Sequence, residues 1–275
     1  MVKYSIKKNL LLIRSNVFKR FFRKLDAIVF SGFFERYSNQ KNNANLLKLA
    51  SIDLDYNYTT FYQKNTANPI SLLCDKYGSD KGSILEKGHP YGWPPHTYSD
   101  YYHLLFSSRR QHIKKVFECG LGTNNPNLLS SMGSMGKPGA SLRVWRAYFP
   151  NAIIYGAAID KDILFAEERI KKFYIDQLDP VAIKECWSSI NERDFDFIVD
   201  DGLHTFDAGL TLFVQSIDRL SIDGVYIIED VAINDLIKYK KFFSNSEYEV
   251  DYVLMNRPNL PLSDNSLVII RKRSI

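Results

Sequence analysis

The spacing of apolar positions changes at about residue 113. Beyond it, apolar runs of four to eight residues alternate with amphipathic segments of helical length, the pattern of a sheet built from β-α-β units. It predicts strands over Lys115 to Cys119, Ile153 to Ile159, Lys172 to Ile175, Phe195 to Val199 and Val225 to Ile228. Helices are predicted near Ala140 to Tyr148, Ile163 to Lys171, Pro180 to Ile190 and Phe206 to Leu220. The tail differs, because Glu249 to Met255 and Ser266 to Arg271 flank Asn256-Arg257-Pro258-Asn259-Leu260-Pro261 and suggest a closing antiparallel pair. Ahead of residue 113, Pro69 to Arg110 reads as a helical cap interrupted by the loop Tyr77 to Ser83 and the aromatic segment Tyr91 to Tyr102. The expected division is a helical arm over residues 1–66, a substrate-side helical segment over 67–112 and an α/β domain over 113–275. No internal repeat and no low-complexity tract is present.

Composition changes this picture mainly at the arm. The chain of 275 residues is 45% hydrophobic, enough for a sizeable core. Its formal charge of +5 is unevenly placed: residues 1–41 hold ten basic side chains against Asp26 and Glu35, and the remainder holds 26 basic against 29 acidic. A basic excess confined to one arm concerns that arm's partner, so no nucleic-acid partner is expected. Within the arm, Phe18, Phe21, Phe22, Leu25, Ile28, Val29 and Phe33 recur at helical spacing beside Lys19, Arg20, Arg23 and Lys24. That pattern suits an anionic membrane surface or a partner subunit, including a second copy of the chain. Cys74, Cys119 and Cys186 are scattered, without Cys-x-x-Cys spacing, which suggests neither a zinc site nor a disulfide framework. No apolar stretch reaches the roughly 18 residues of a spanning helix and no signal cleavage site follows, so a cytoplasmic location, at most at the inner face of a membrane, is expected.

Four motifs carry candidate chemistry. Phe117-Glu118-Cys119-Gly120-Leu121-Gly122-Thr123 runs from a strand into a glycine turn. Glycines there let the backbone approach a nucleotide-like cofactor, although a tight connection alone uses the same residues. Asp160 ends the next strand, where an acid takes ribose hydroxyls or caps the following helix. Asp176-Gln177 offers an acid and an amide to an adenine edge, whereas Asp179-Pro180 reads as a helix start. Finally, Asp200-Asp201-Gly202-Leu203-His204 and Glu229-Asp230 close two successive apolar runs. Neighbouring parallel strands about 4.8 Å apart would let these acids converge on one hard cation at the edge where such sheets bind ligands. Asp200 stays open between site and backbone, because successive strand residues face opposite ways.

These residues, with Gly136 to Ala152, Lys76 to Ser83 and His96-Thr97-Tyr98, resemble class I S-adenosylmethionine-dependent methyltransferases. The nearest branch resembles metal-dependent sugar O-methyltransferases of the macrocin and mycinamicin type and their relatives in bacterial polysaccharide clusters. The resemblance covers roughly Cys74 to Arg271. It implies a Rossmann-like, seven-stranded, mostly parallel sheet with an antiparallel last strand, in agreement with the tail pattern. It implies AdoMet as cofactor at Glu118, Gly120, Gly122, Asp160, Asp176 and Gln177. It also implies Mg2+ held by Asp201, Glu229 and Asp230, with His204 and Asp201 as catalytic residues and His204 as general base. The long segment Asn124 to Gly139 departs from the superfamily pattern.

The resulting expectation is Mg2+-assisted methylation of a sugar hydroxyl, on a small-molecule or nucleotide-linked acceptor, in capsule, lipopolysaccharide or other glycan synthesis. The competing readings are methylation of a non-sugar capsular group such as a phosphoramidate, a hydroxylase-like relative, and an inactive membrane-associated binding module. Tyr91, Trp93, His96, Tyr98, Tyr101 and Tyr102 fit either a carbohydrate pocket or core packing. Lys81 could meet an anionic group such as a nucleotide diphosphate, but a solvated lysine is the expected reading.

Overall fold

The computed structural model describes residue 44 and residues 60–83, 90–91, 93–128, 130–163, 165, 167–256 and 264–273. The chain divides into two units, residues 1–55 with 256–261 and residues 56–255 with 262–275. Apart from Ala44 and Asn256, the described residues belong to the second unit, and the amphipathic arm read from residues 1–41 lies outside them.

The second unit begins with two helices, α1 (Pro69–Tyr77) and α2 (Tyr98–Phe106). Pro69 opens α1 where its missing N–H costs nothing, the Asn68 side chain accepts from the Ile70 and Ser71 amides, and Gly78 ends the helix at φ 81°. Then follow β1 (Lys115–Cys119), α3 (Ala140–Tyr148), β2 (Ile153–Ala158), β3 (Ile170–Tyr174), α4 (Pro180–Ile190), β4 (Phe195–Asp200) and α5 (Phe206–Ser216). The chain closes with β5 (Leu220–Ile228), α6 (Ile233–Phe243), β6 (Tyr248–Leu254) and β7 (Ser266–Lys272). The sheet order is β3-β2-β1-β4-β5-β7-β6. β1 to β5 pair in parallel, and β7 runs antiparallel to both β5 and β6. This is the seven-stranded Rossmann-like arrangement expected from the sequence.

Alternation along the strands sends side chains to two packed faces. On one face Val116, Ile154, Phe197, Val199, Val225 and Ile227 meet α1, α2 and α3. There Phe197 sits 4.8 Å from Phe106, 5.4 Å from Trp145 and 5.7 Å from Tyr102 between ring centroids. Truncating such a buried ring costs about 3–5 kcal/mol, so this cluster fixes α2 against the sheet and with it the height of the Tyr102 hydroxyl. On the other face Phe117 packs 4.4 Å from Trp187 of α4, and Phe213 of α5 meets Tyr226 at 5.4 Å between ring centroids.

Three elements differ from the sequence reading. The helix expected over Ile163 to Lys171 does not form: Arg169 takes φ 60°, and β3 already starts at Ile170, paired with Ile154. The apolar spacing there is compatible with a helix, but the open edge of β2 offers five paired residues, and the Arg169 guanidinium bonds the carbonyls of Arg146, Phe149 and Ala152. β5 begins at Leu220 and not Val225, with a register shift against β4 between Phe195 and Phe197. Helix α6 is an addition; its mixed face, with Lys238, Lys240 and Lys241 between apolar positions, hid it.

Candidate active site

The parallel pairing of β4 and β5 sets Asp200 beside Ile228, and the Glu229 amide donates to the Asp200 carbonyl at 2.9 Å. The two acidic strand ends therefore meet, as their sequence spacing suggested. The glycine turn after β1 packs on the same place. The Asp201 amide donates to the Cys119 carbonyl at 2.8 Å, and a Cβ on Gly120, at φ 95°, would overlap the Asp201 carbonyl. Only glycine fits that contact.

Asp201 and Asp230 are bridged by His204, whose Nε2 lies 3.2 Å from Asp201 Oδ1 and whose Nδ1 lies 3.4 Å from Asp230 Oδ2. These three offer ligand atoms within 4.8 Å of one another. His204 and Asp230 both have positive φ, 55° and 52°. Non-glycine residues pay about 1–2 kcal/mol for that region, and such strain gathers at functional sites.

The Glu229 carboxylate stands apart from that trio. One oxygen accepts from the Tyr102 hydroxyl and the other from Lys81 Nζ, which also donates to Asp201 Oδ2 at 2.6 Å and lies 3.5 Å from Glu118 Oε1. Lys81 is 2% exposed, so the expected solvated lysine is corrected: its ammonium is buried among three acids. The aromatic segment contributes as well. Tyr98 donates to Asp230 Oδ1 at 2.7 Å, and His96 Nδ1 lies 3.1 Å from the same oxygen without hydrogen-bond alignment. Tyr98 and Tyr102 are thus buried partners of the acids and not an exposed sugar platform.

Electrostatics follow from this crowding. Burial raises Glu229 well above the usual carboxylate range, with Lys81 opposing. Burial raises Glu118 to about 7, again against Lys81. Burial would raise Asp201 too, but the Lys81 ammonium and His204 hold it below its ordinary value. For His204, burial alone would lower the pKa, yet the Asp201 hydrogen bond and the charges of Asp230 and Asp201 raise it to about 10. Four carboxyl groups, Glu118, Asp201, Glu229 and Asp230, thus outnumber the Lys81 ammonium and the His204 imidazole even when both are charged. That excess of carboxylate oxygens fits a hard divalent cation, whose own charge would favour their ionised form.

Of the candidate cofactor residues, Glu118, Gly120 and Gly122 belong to the glycine turn and Asp160 bonds to it, whereas Asp176 and Gln177 follow β3. Glu118 is fully buried; Trp145 Nε1 donates to its Oε2 at 3.0 Å, while Oε1 has no hydrogen-bond partner. Gly122, at φ 67°, sits against the Met132 side chain, where the long segment after the turn folds back and the Met132 amide donates to the Thr123 carbonyl at 2.7 Å. Asp160 accepts from the Thr123 hydroxyl and, at 2.9 Å, from the Asp162 amide, so it belongs to the turn and caps no helix. Asp176 accepts from the Leu178 amide at 3.0 Å, and Asp179 caps α4 as expected. Gln177 turns inward. Its amide donates to both oxygens of Asp200 at 2.7 and 2.8 Å and accepts from the Leu203 amide, which pins Asp200 and the loop carrying Asp201. Asp200, raised to about 6 by burial, is therefore a structural brace whose carboxylate also receives the Gly202 amide at 3.1 Å.

No family model matches the chain. Among characterised proteins it is similar to the 8-demethyl-8-alpha-L-rhamnosyl tetracenomycin-C 2'-O-methyltransferase of Streptomyces olivaceus, 29% identical over 59% of this chain and 37% of that protein. It is also similar to the demethylmacrocin O-methyltransferase of Streptomyces fradiae, 29% identical over 50% of this chain and 32% of that protein. The mycinamicin VI 2''-O-methyltransferase of Micromonospora griseorubida is 30% identical over 56% and 37%. The match spans about a third of the length of these relatives. Among solved structures, the MycE methyltransferase of the mycinamycin pathway, in complex with Mg, SAH and mycinamycin VI, aligns with TM-score 0.54 and 21% identity over 74% of this chain and 54% of that one. The chain has the class I methyltransferase fold and resembles, in sequence, the macrocin- and mycinamicin-type sugar O-methyltransferases.

Proposed function

We propose that the chain is an AdoMet-dependent, Mg2+-assisted O-methyltransferase acting on a sugar hydroxyl. The observation that carries this reading is the meeting of Asp201, His204 and Asp230 at the carboxyl edge of β4 and β5, packed on the Gly120 turn, with Glu229 joined to Asp201 through Lys81. The similarity to sugar O-methyltransferases supports the same substrate class. Capsule, lipopolysaccharide or another glycan is the proposed setting, on a small-molecule or nucleotide-linked acceptor in the cytoplasm. Among the described residues no helix is long and apolar enough to cross a membrane. The arm over residues 1–41 is proposed to meet an anionic membrane surface or a second copy of the chain.

Bound AdoMet supplies an electrophilic methyl group, and Glu118, Gly120, Gly122, Asp160 and Asp176 are the residues that would hold it. Asp201 and Asp230 would hold the cation with Glu229 beside them, and a cation there lowers the pKa of an acceptor hydroxyl. His204 is the proton acceptor. While its nitrogens face both Asp201 and Asp230 it keeps its proton, and committing those carboxylates elsewhere frees it to act as a base near neutral pH. Its side chain is 39% exposed, the most open of the cluster, so an acceptor can reach it. Lys81, Tyr98 and Tyr102 fix the acids from behind. Holding hydroxyl and methyl group in attack geometry is worth up to about 7–11 kcal/mol, which makes positioning the main contribution of this frame. Product mass analysis with a panel of nucleotide-activated sugars, with Mg2+ and with chelator, tests the reading: a metal-dependent methylated sugar supports it, and turnover unaffected by chelator contradicts it.

A further inference from the structure

Lys81 only fixes the acids in the chemistry above and moves no proton, yet it is a buried cation set among three carboxylates. Its ammonium touches acids from three central strands, Glu118 near the end of β1, Asp201 just after β4 and Glu229 just after β5. It is also rigidly delivered. Backbone amides of His96, Thr97 and Ser99 donate to the carbonyls of Asp80, Gly82 and Lys81 at 2.7, 2.9 and 2.8 Å, tying its loop to the start of α2. A Cβ on Gly82 would lie 2.9 Å from the Cys74 Cβ, so the loop has no slack toward α1. The lysine is held by its frame as well as by the acids it neutralises.

Buried carboxylates without a counter-charge are costly, and a cluster built to receive a divalent cation meets that cost whenever it is empty. We propose that Lys81 is a built-in counter-ion of the acid cluster: it holds Asp201 and Glu229 in place while no metal is bound, and it lowers the cluster's affinity for a divalent cation, which must share those carboxylates with it. The inference rests on the metal-assisted reading. It adds that the cation's affinity is set by a residue that is not a ligand. A fixed positive charge a few ångströms from an incoming divalent ion is strongly repulsive at protein-like dielectric, so removing it should tighten binding by about ten-fold or more.

Calorimetry of the full chain with MgCl2, without cofactor or acceptor, tests this. Lys81→Met should bind Mg2+ about ten-fold or more tightly than wild type, and Lys81→Arg, which keeps the charge, should stay near wild type. A lysine that merely supported the fold would leave Mg2+ affinity unchanged or weaken it on removal. Should Lys81→Met fail to fold without metal, its recovery of native circular dichroism on adding Mg2+ supports the proposal. Lys81→Gln, neutral but still a hydrogen-bond donor, then serves for the affinity comparison. Wild-type binding with no tightening in either neutral variant overturns the Lys81 inference alone. No Mg2+ binding in any of the proteins overturns it together with the metal-assisted reading.

Discussion

Replacing Gly120 by alanine probes the join between the glycine turn and the acid cluster. The residue sits at φ 95°, and a Cβ there would overlap the Asp201 carbonyl oxygen and lie 2.8 Å from the Gly202 amide nitrogen. Both partners are backbone, so no side chain can swing away. Gly133 provides the control, since it has φ 78° but nothing within 4 Å of an added Cβ. Gly133→Ala should therefore cost only the conformational term, about 1–2 kcal/mol. Gly120→Ala should cost that amount plus an overpacking term of about 1–3 kcal/mol. Urea unfolding followed by tryptophan fluorescence reads both values, with unchanged m-values required for the comparison. The Gly120 variant should also lose AdoHcy affinity in calorimetry, because the collision pushes the Asp201 loop off the turn. Equal destabilisation by the two substitutions would refute the close packing of the turn on Asp201.

Other outcomes follow from the same geometry. His204→Ala should lower kcat by about 10²- to 10⁴-fold while AdoHcy affinity holds; near-normal turnover would leave positioning to carry the reaction. In the metal-free protein His204 is raised to about 10, so its ion pairs stabilise the fold fully below the ordinary histidine value near 6.5 and are lost as pH rises through about 10. The stability advantage of wild type over His204→Gln should then shrink across that window in pH-dependent melts, and an advantage that grows with pH would contradict the assignment. Asp160→Ala should weaken AdoHcy binding in calorimetry through loss of a charged acceptor and of the Thr123 contact, and unchanged affinity would move the ribose site elsewhere. Chelator should abolish turnover without changing AdoHcy affinity; parallel loss of both would place the cation in the cofactor site.

Much of the frame was legible because local chemistry sets it. Asp179-Pro180 announced the start of α4, the apolar runs announced β1, β2 and β4, and the two tail strands with their intervening turn residues announced the antiparallel closure. The convergence of the acids was legible too, since β4 and β5 are consecutive parallel strands with acids at equivalent ends. Lys81 was not, because its hydrogen-bonded partners Asp201 and Glu229 lie 120 and 148 residues further along the chain and only the tertiary fold joins them. Gln177 shows the same limit: an amide beside an acid suggested adenine, yet Asp200 receives it across 23 residues. The helix expected over Ile163 to Lys171 lost to strand pairing, a long-range interaction that periodicity does not contain.

The central claim is methyl transfer from AdoMet to a sugar oxygen under control of the Asp201–His204–Asp230 group. Its most direct test is incubation of the full chain with an acceptor from the nucleotide-sugar panel and AdoMet carrying a carbon-13 methyl group, followed by carbon-13 NMR of the product. The account predicts a methyl signal at an ether shift, correlated with a sugar ring carbon, that appears with Mg2+ and is absent with chelator. A methyl signal on nitrogen, or an ether signal of equal intensity in chelator, would contradict it.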